Sequence, residues 1–471
     1  MRCYLRHLRL KHLNFYNQHF KLHEHEQLIS GSDDDSDLNE VLDSELNFNN
    51  LNEGHALDTL ESTLARKLLK LRENHNLSSS SISAVVDIIK NVGNKVKDNL
   101  IQQYRLLSEN QDFEDWPAVV NSLSNNTELD EICENLDSQR KLESFAERNL
   151  FVVKPVELVV QTNDSTRETF QYVPILQTLE YLLKFEDIFA EVINGHRSSD
   201  RKLRDICDGN LFKQNTLYSS NENALQVILY YDDFNIVNPL GNRVRKYKLS
   251  AFYMTLGNLN PIYRSQNKSI FLVSLCRTKL LKKHGFNTVL APLERDLQQL
   301  EVEGITFNKG QEHFTIKGSL VCTCCDNLAS HSIGGFIESF TTLKPCRFGH
   351  VTLENLRNGE TGALRSQTSY DNQCDAVQQF PDLSRCYGIK KPSYLNNLNF
   401  YHVVNGLPSD IAHDIFEGVG KVVLSRTITY CIQSGFYSLE YLNSVIENYP
   451  FKADDKTNRP CNLDVTHGKL T

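Results

Sequence analysis

The chain contains no run of about 18 apolar residues, so nothing in it reads as a transmembrane helix. Its first residues have no apolar core followed by a small-residue cleavage site, so no secretory signal is read. "MRCYLRHLRLKH" does lack acids, and a mitochondrial presequence is one reading of it. A disulfide scaffold is missing too. Twelve cysteines are spread over 471 residues, and without a secretion signal they are expected as reduced thiols in cytosol or nucleus. Residues 31–60 have no lysine or arginine but carry nine acids, which accounts for the whole net charge of −9. The rest of the chain is balanced, so the acidic total does not argue against a nucleic-acid partner.

What remains is a hydrophobic fraction of 40%, enough for several domains with a sizeable core. Residues 1–30 are basic and rich in histidine. His7 and His12 have the spacing of the helical end of a Cys2His2 zinc finger, with no room before them for its cysteine pair. A finger remnant and a plain basic helix both fit. Residues 31–60 have the composition of a disordered acidic linker. Residues 61–145 read as a helical region, in which Leu64, Leu68 and Leu71 share one face and Ile82, Val85, Val86, Ile89 and Val96 another. The serines at 78–81 offer the cap between them. Residues 146–223 form a mixed lead-in. "VVKPVELVV" suits a strand, and "PILQTLEYLLKFEDIFAEVI" suits one helix with Pro174 at its start.

The chemistry is expected from residue 224 onward. "ALQVILYYDDF" reads as a buried strand ending in two aspartates, and "YKLSAFYMTL" and "SIFLVSLC" as two more. "APLERDLQQLEVEG" reads as a helix with Pro292 near its first turn and Gly304 past its end. "HFTIKGSLVCTCCDNLASH" reads as a fourth strand, with Phe314 to Asp326 alternating on one side. Parallel placement of the first and fourth strands would bring Asp232 and Asp326 together. A later helix, "PSDIAHDIFEG", supplies further acids: Ser409 is its expected cap, and Gly418 and Gly420 would let it approach the sheet. Phosphodiester chemistry uses two divalent metals about 4 Å apart, and carboxylates from separate elements suit Mg²⁺ or Mn²⁺.

The blocks "ILYYDDFNIVNPLGN", "KLSAFYMTLGNLNPIYRS", "CDNLASHSIGGFIESF", "CRF" and "GLPSDIAHDIFEGV" occur in one order, within a resemblance that covers roughly residues 146–450. In this the chain resembles the transposase-derived proteins of the CACTA (EnSpm) type and their animal relatives. The resemblance implies an α/β, RNase H-like mixed sheet: three strands, a helix, a fourth strand, an insertion at about 340–400 and a closing helix, spanning 224–471. It implies nuclear cut-and-paste chemistry on DNA, in which water attacks a phosphodiester at the element end and the freed 3′-hydroxyl attacks target DNA. It places the catalytic, metal-binding acids on Asp232 (with Asp233 as the alternative), Asp326 and Glu417, and His413 beside them. The family runs on past the third acid, so the chain reads as truncated at both ends. A non-catalytic nuclear DNA- or protein-binding remnant is the competing function, and a zinc-dependent interaction module a third.

DNA contact is expected from "RVRKYK" (Arg243, Arg245, Lys246, Lys248) and "RTKLLKKH" (Arg277, Lys279, Lys282, Lys283) by phosphate neutralisation. The family often has a Cys-x-x-Cys after the second acid. Here Cys346 is followed by Gly349, so a Zn²⁺ site would need His350 with Cys374 or Cys386. "CTCC" is expected to pack in the core. No membrane partner is expected, and a homo-oligomer is compatible with the sequence.

Overall fold

The computed structural model describes residues 59–75, 77–108, 116–149, 152–160, 167–195, 202–235, 248–451, 460–466 and 469–470. The His-rich segment 1–30 and nearly all of the acidic linker lie outside the described residues, as do Arg243, Arg245 and Lys246. The described residues fall into two compact units, divided between Lys154 and Pro155.

The first unit is helical: α1 (Leu60–His75), α2 (Ser79–Ser108), α3 (Trp116–Asn125), α4 (Glu128–Leu136) and α5 (Gln139–Asn149). The Ser81 amide donates to Ser78 Oγ at 3.1 Å, so the serine run does cap α2. Leu68, Ile82, Val86, Ile132, Leu136 and Leu142 form its core. Each such side chain contributes about 1.5–3 kcal/mol by leaving water. Val96, expected on the same face as Ile82, is 52% exposed.

The second unit is built on a six-stranded sheet with the order β1-β2-β5-β4-β3-β8. Its strands are β1 (Val156–Val160), β2 (Glu168–Tyr172), β3 (Leu225–Asn235), β4 (Lys248–Leu256), β5 (Phe271–Arg277) and β8 (Gly318–Cys324). All neighbours are antiparallel except β3 and β8, which are parallel. The apolar run of β3 is buried through Leu225–Leu229, as a strand covered on both faces requires. β6 (Ile305–Lys309) and β7 (Glu312–Ile316) form a separate hairpin.

Several expectations change here. The lead-in is continuous with the sheet, because β2 pairs with β5 through Gln171↔Leu275 and Tyr172↔Ser274. The helix expected after Pro174 is two, α6 (Ile175–Leu183) and α7 (Glu186–Asn194). Asp296 accepts the Ile175 amide at 3.2 Å and the Tyr172 hydroxyl at 2.7 Å, which anchors the start of α6. After α8 (Thr278–His284) comes α9 (Phe286–Val302), which starts earlier than expected and holds Pro292 in its interior. Pro292 cannot donate to the Thr288 carbonyl, and the buried neighbours Val289, Leu293 and Leu297 hold the helix across that gap. The single strand expected over His313–Asp326 breaks at Lys317 into β7 and β8. A bulge then shifts β8, from Val227↔Leu320 to Ile228↔Cys322, and this interrupts the period-two alternation.

α10 (Asn327–Ile333) follows β8 directly. The insertion then packs around Tyr370, which lies in α11 (Gln367–Gln379) and is fully buried. Its hydroxyl donates to the Gly334 carbonyl at 2.7 Å and accepts the Ser393 amide at 3.2 Å. Buried Glu301 of α9 accepts from Ser319 Oγ at 2.5 Å and from the Asn399 amide at 2.8 Å, so the insertion returns onto α9 and β8. The described chain then runs through π-helical turns (Ala412–Val419), α12 (Gly420–Gln433) and α13 (Leu439–Asn448). No helix among the described residues is long and apolar enough to cross a membrane.

Candidate nucleic-acid cleft and carboxylate pair

The last residues paired between β3 and β8 are Tyr230 and Cys324. Asp232 and Asp326 each follow two positions later, so they emerge at the same level from adjacent parallel strands. Both are exposed, and both line one cleft of about 600 Å³. Ligands of open α/β sheets bind beyond the carboxyl ends of the strands.

Each acid has a local reason for its place. Asp232 Oδ1 accepts the Asp233 amide at 2.7 Å. Asp326 caps α10, with Oδ1 accepting the Ala329 amide at 2.7 Å. Asp233, the alternative first acid, is engaged differently. It accepts from Tyr231 at 2.7 Å and from Ser250, and it pairs with Lys248 at 3.2 Å. Its carboxylate is therefore tied to β3, β4 and Lys248, and it lines the same cleft as Asp232.

The cleft walls are basic. Lys248 from β4, Lys282, Lys283 and His284 from α8, and Lys390 and Lys391 from the insertion all line it. Lys283 and His284 share Glu168, at 3.1 and 2.5 Å. Lys390 and Lys391 are carried there by backbone: both amides donate to the Gly335 carbonyl, at 2.7 and 3.2 Å. Gly335 has φ +70°, and a Cβ there would lie 1.9 Å from the Lys391 carbonyl oxygen. The "IGG" of the sequence is thus a seat for the "KK" loop.

The helix expected to bring the third acid is capped by Asp410 rather than by Ser409. The His413 amide donates to Asp410 Oδ1 at 3.2 Å, and His413 Nδ1 lies 2.5 Å from Oδ2. Asp410 holds His413 above its ordinary pKa, with Glu417 and Asp326 adding to the same effect. Tyr230 gathers the same acids. Burial raises its hydroxyl first, and Asp232, Cys325, Asp410 and Asp326 raise it further.

Glu417 does not join them. Its side chain is 75% exposed and lies 4.0 Å from His413 Nε2. Gly418 does not bring the helix toward the sheet either. It sits at a kink with φ −100° and ψ −108°, and a Cβ there would meet the His413 carbonyl oxygen at 2.6 Å. Gly420 stands likewise over the Ile415 carbonyl. These glycines serve the wide π-helical turns.

The residue missed in the sequence is Arg347 of "CRF", 5% exposed. It donates to Asn327 Oδ1 at 2.6 Å and to the Pro408 carbonyl at 2.9 Å, and Asn327 donates in turn to Asp414. One guanidinium thereby ties the start of α10 to the start of the "PSDIAHDIFEG" helix. Beside it, His331 sets its ring nitrogens 2.7 Å from the Asn327 carbonyl and 3.0 Å from that of Pro345.

The expected zinc ligands are not gathered. His350 Nε2 lies 3.3 Å from Ser369 Oγ, and burial lowers its pKa. Cys374 is buried and Cys386 exposed. In "CTCC", Cys322 and Cys325 are buried and Cys324 half-buried. Among the described residues no three His, Cys, Asp or Glu side chains come together to hold a metal ion. A site of three carboxylates that includes Glu417 is therefore not assembled. Two exposed carboxylates suit one Mg²⁺, which is bound by one or two carboxylates with water and substrate phosphate completing its shell.

No protein-family model matches this chain, and no curated protein matches it. The functional reading rests on the cleft.

Proposed function

We propose that this is a transposase-derived nuclear protein of the CACTA type, with an RNase H-like core, that holds a DNA strand in the lysine-walled cleft. The observation that carries the reading is the cleft's composition. An exposed acid pair at the ends of two parallel strands is enclosed by lysines from three separate elements. Lysine walls suit a phosphodiester backbone, because each phosphate contact releases condensed counterions. Asp232 and Asp326 would hold a divalent cation between strand and sheet. Such a cation, when bound, supplies Lewis-acid stabilisation and activates a nucleophile for strand cleavage. In this reading His413, held by Asp410, would donate a hydrogen bond to the bound strand.

The exposed position of Glu417 favours a second reading, in which the cleft binds DNA without cutting it. Anisotropy with a short labelled DNA and a nicking assay with Mn²⁺ separate the two. Wild type should bind with a steep salt dependence, and Lys390→Gln with Lys391→Gln should lower the slope of log K against log salt by about 2. Nicking that Asp326→Asn abolishes supports the catalytic reading; binding without nicking supports the second. Failure of the wild type to bind DNA, or equal nicking by wild type and Asp326→Asn, would reject the cleft as drawn.

A further inference from the structure

We propose that α12 and α13 form a two-fold symmetric interface with a second copy of this chain. No residue of the π-helical turns, of α12 or of α13 is buried. Val422, Val423 and Leu424 are consecutive, and so point in three directions about the axis, yet are 51%, 57% and 62% exposed. A helix that is apolar around most of its circumference is stable when covered. Nor do the two helices cover each other: α12 packs on the preceding turns and on the short strand Lys469–Leu470, α13 holds Leu463 through Asn443, and the two scarcely touch.

The uncovered area is large enough for a stable association. Phe416, Tyr430, Phe436, Tyr441 and Tyr449 are each 60–74% exposed. At about 150–250 Å² per aromatic side chain, these five alone leave on the order of 600 Å² in water. With the exposed aliphatic residues the total over all sides of the turns and helices reaches the ~800 Å² per partner of a standard interface, of which a partner covers the side that it faces.

Charge selects the occupant. α12 carries Lys421 and Arg426 and no acid, whereas α13 carries Glu440 and Glu447 and no base. A two-fold axis that lays α12 of one copy against α13 of the other pairs opposite signs twice at once, as an isologous contact must. The surface lies outside the basic cleft and does not depend on its chemistry.

Light scattering on the eluting full chain should give twice the 54.0 kDa of one copy at micromolar concentration. Leu424→Glu with Tyr430→Glu alters side chains already exposed in one copy, so circular dichroism should stay the same. The dissociation constant should rise about 100-fold. The charge swap is more specific. Lys421→Glu with Arg426→Glu makes both helices acidic, and Glu440→Lys with Glu447→Lys makes both basic. Each variant alone should be monomeric, and an equimolar mixture should form a heterodimer. A wild-type monomer across that range, a polydisperse aggregate, a dimer unaffected by Leu424→Glu and Tyr430→Glu, or a mixture that stays monomeric would overturn the interface.

Discussion

Two neighbouring stretches with similar apolar content have opposite environments. Over residues 401–407, Tyr401, Val403 and Leu407 are at most 6% exposed. Tyr401 shares a hydrogen bond with Thr323 of β8 at 3.0 Å, and Val403 opens a short turn that packs on the same strand. From Ile411 onward the chain is as rich in Ile, Val, Leu and Tyr, and yet none of the residues of the following helices is buried. The difference lies in what receives each stretch. The first meets the edge strand β8. The second leaves the sheet at Asp410 and, among the described residues, meets only the preceding turns and the short C-terminal segment around Leu463 and Lys469–Leu470. Apolar sequence creates a demand for cover, and only the neighbouring surface meets it.

The sharpest way to break this contrast is at its hinge. Arg347→Ala removes the donor to Asn327 and to the Pro408 carbonyl and empties the buried site that the guanidinium fills. It should cost about 3 kcal/mol in urea unfolding, and Arg347→Lys should recover only part, because a point charge cannot span both acceptors. The counterpart in the arm, Leu424→Ala, should change the stability of the single copy by less than about 0.5 kcal/mol. Similar costs for the two would show that the arm is covered within one chain.

A smaller effect separates the two duties of Asp326. Asp326→Ala loses the cap of α10 and should cost about 1 kcal/mol, whereas Asp326→Asn keeps an acceptor for the Ala329 amide and should cost much less. Both remove the charge from the cleft, so both should lose Mn²⁺-dependent nicking. A nicking difference that followed stability would assign Asp326 to structure alone.

The smallest effect concerns pH. His413 titrates above the ordinary 6.5, chiefly because it is hydrogen-bonded to Asp410. Its charged contact with Asp410 is complete below that ordinary value and is lost as pH rises through the raised one. A proton-NMR titration should put His413 above 6.5, and Asp410→Asn should bring it back toward 6.5. An unchanged midpoint in Asp410→Asn would remove the dyad from the site.

Strands and most helices were legible because period-two and period-3.6 apolar patterns report which face is buried. β3, β4 and β5 fall on the runs that read as strands. Boundaries were less legible where two patterns merge. Nothing local in "HFTIKGSLVC" says that the partner changes at Lys317 from β6 to β3. The acid pair was readable because both aspartates close apolar runs. The rest of the cleft was not. Lys390 and Lys391 arrive only through the Gly335 seat, and Arg347 acts on residues 20 and 61 positions away.

By itself, then, the sequence determined the strand-forming runs, the two aspartates that end them and the cap that starts α2, because each depends on neighbours within a few residues. Tertiary structure alone decided that Glu417 stays exposed beside His413, that Asp233 is tied to Tyr231, Ser250 and Lys248, and that no residue of the helices after Ile411 is buried. Those outcomes depend on which distant surface each side chain meets, and a local pattern carries no record of that.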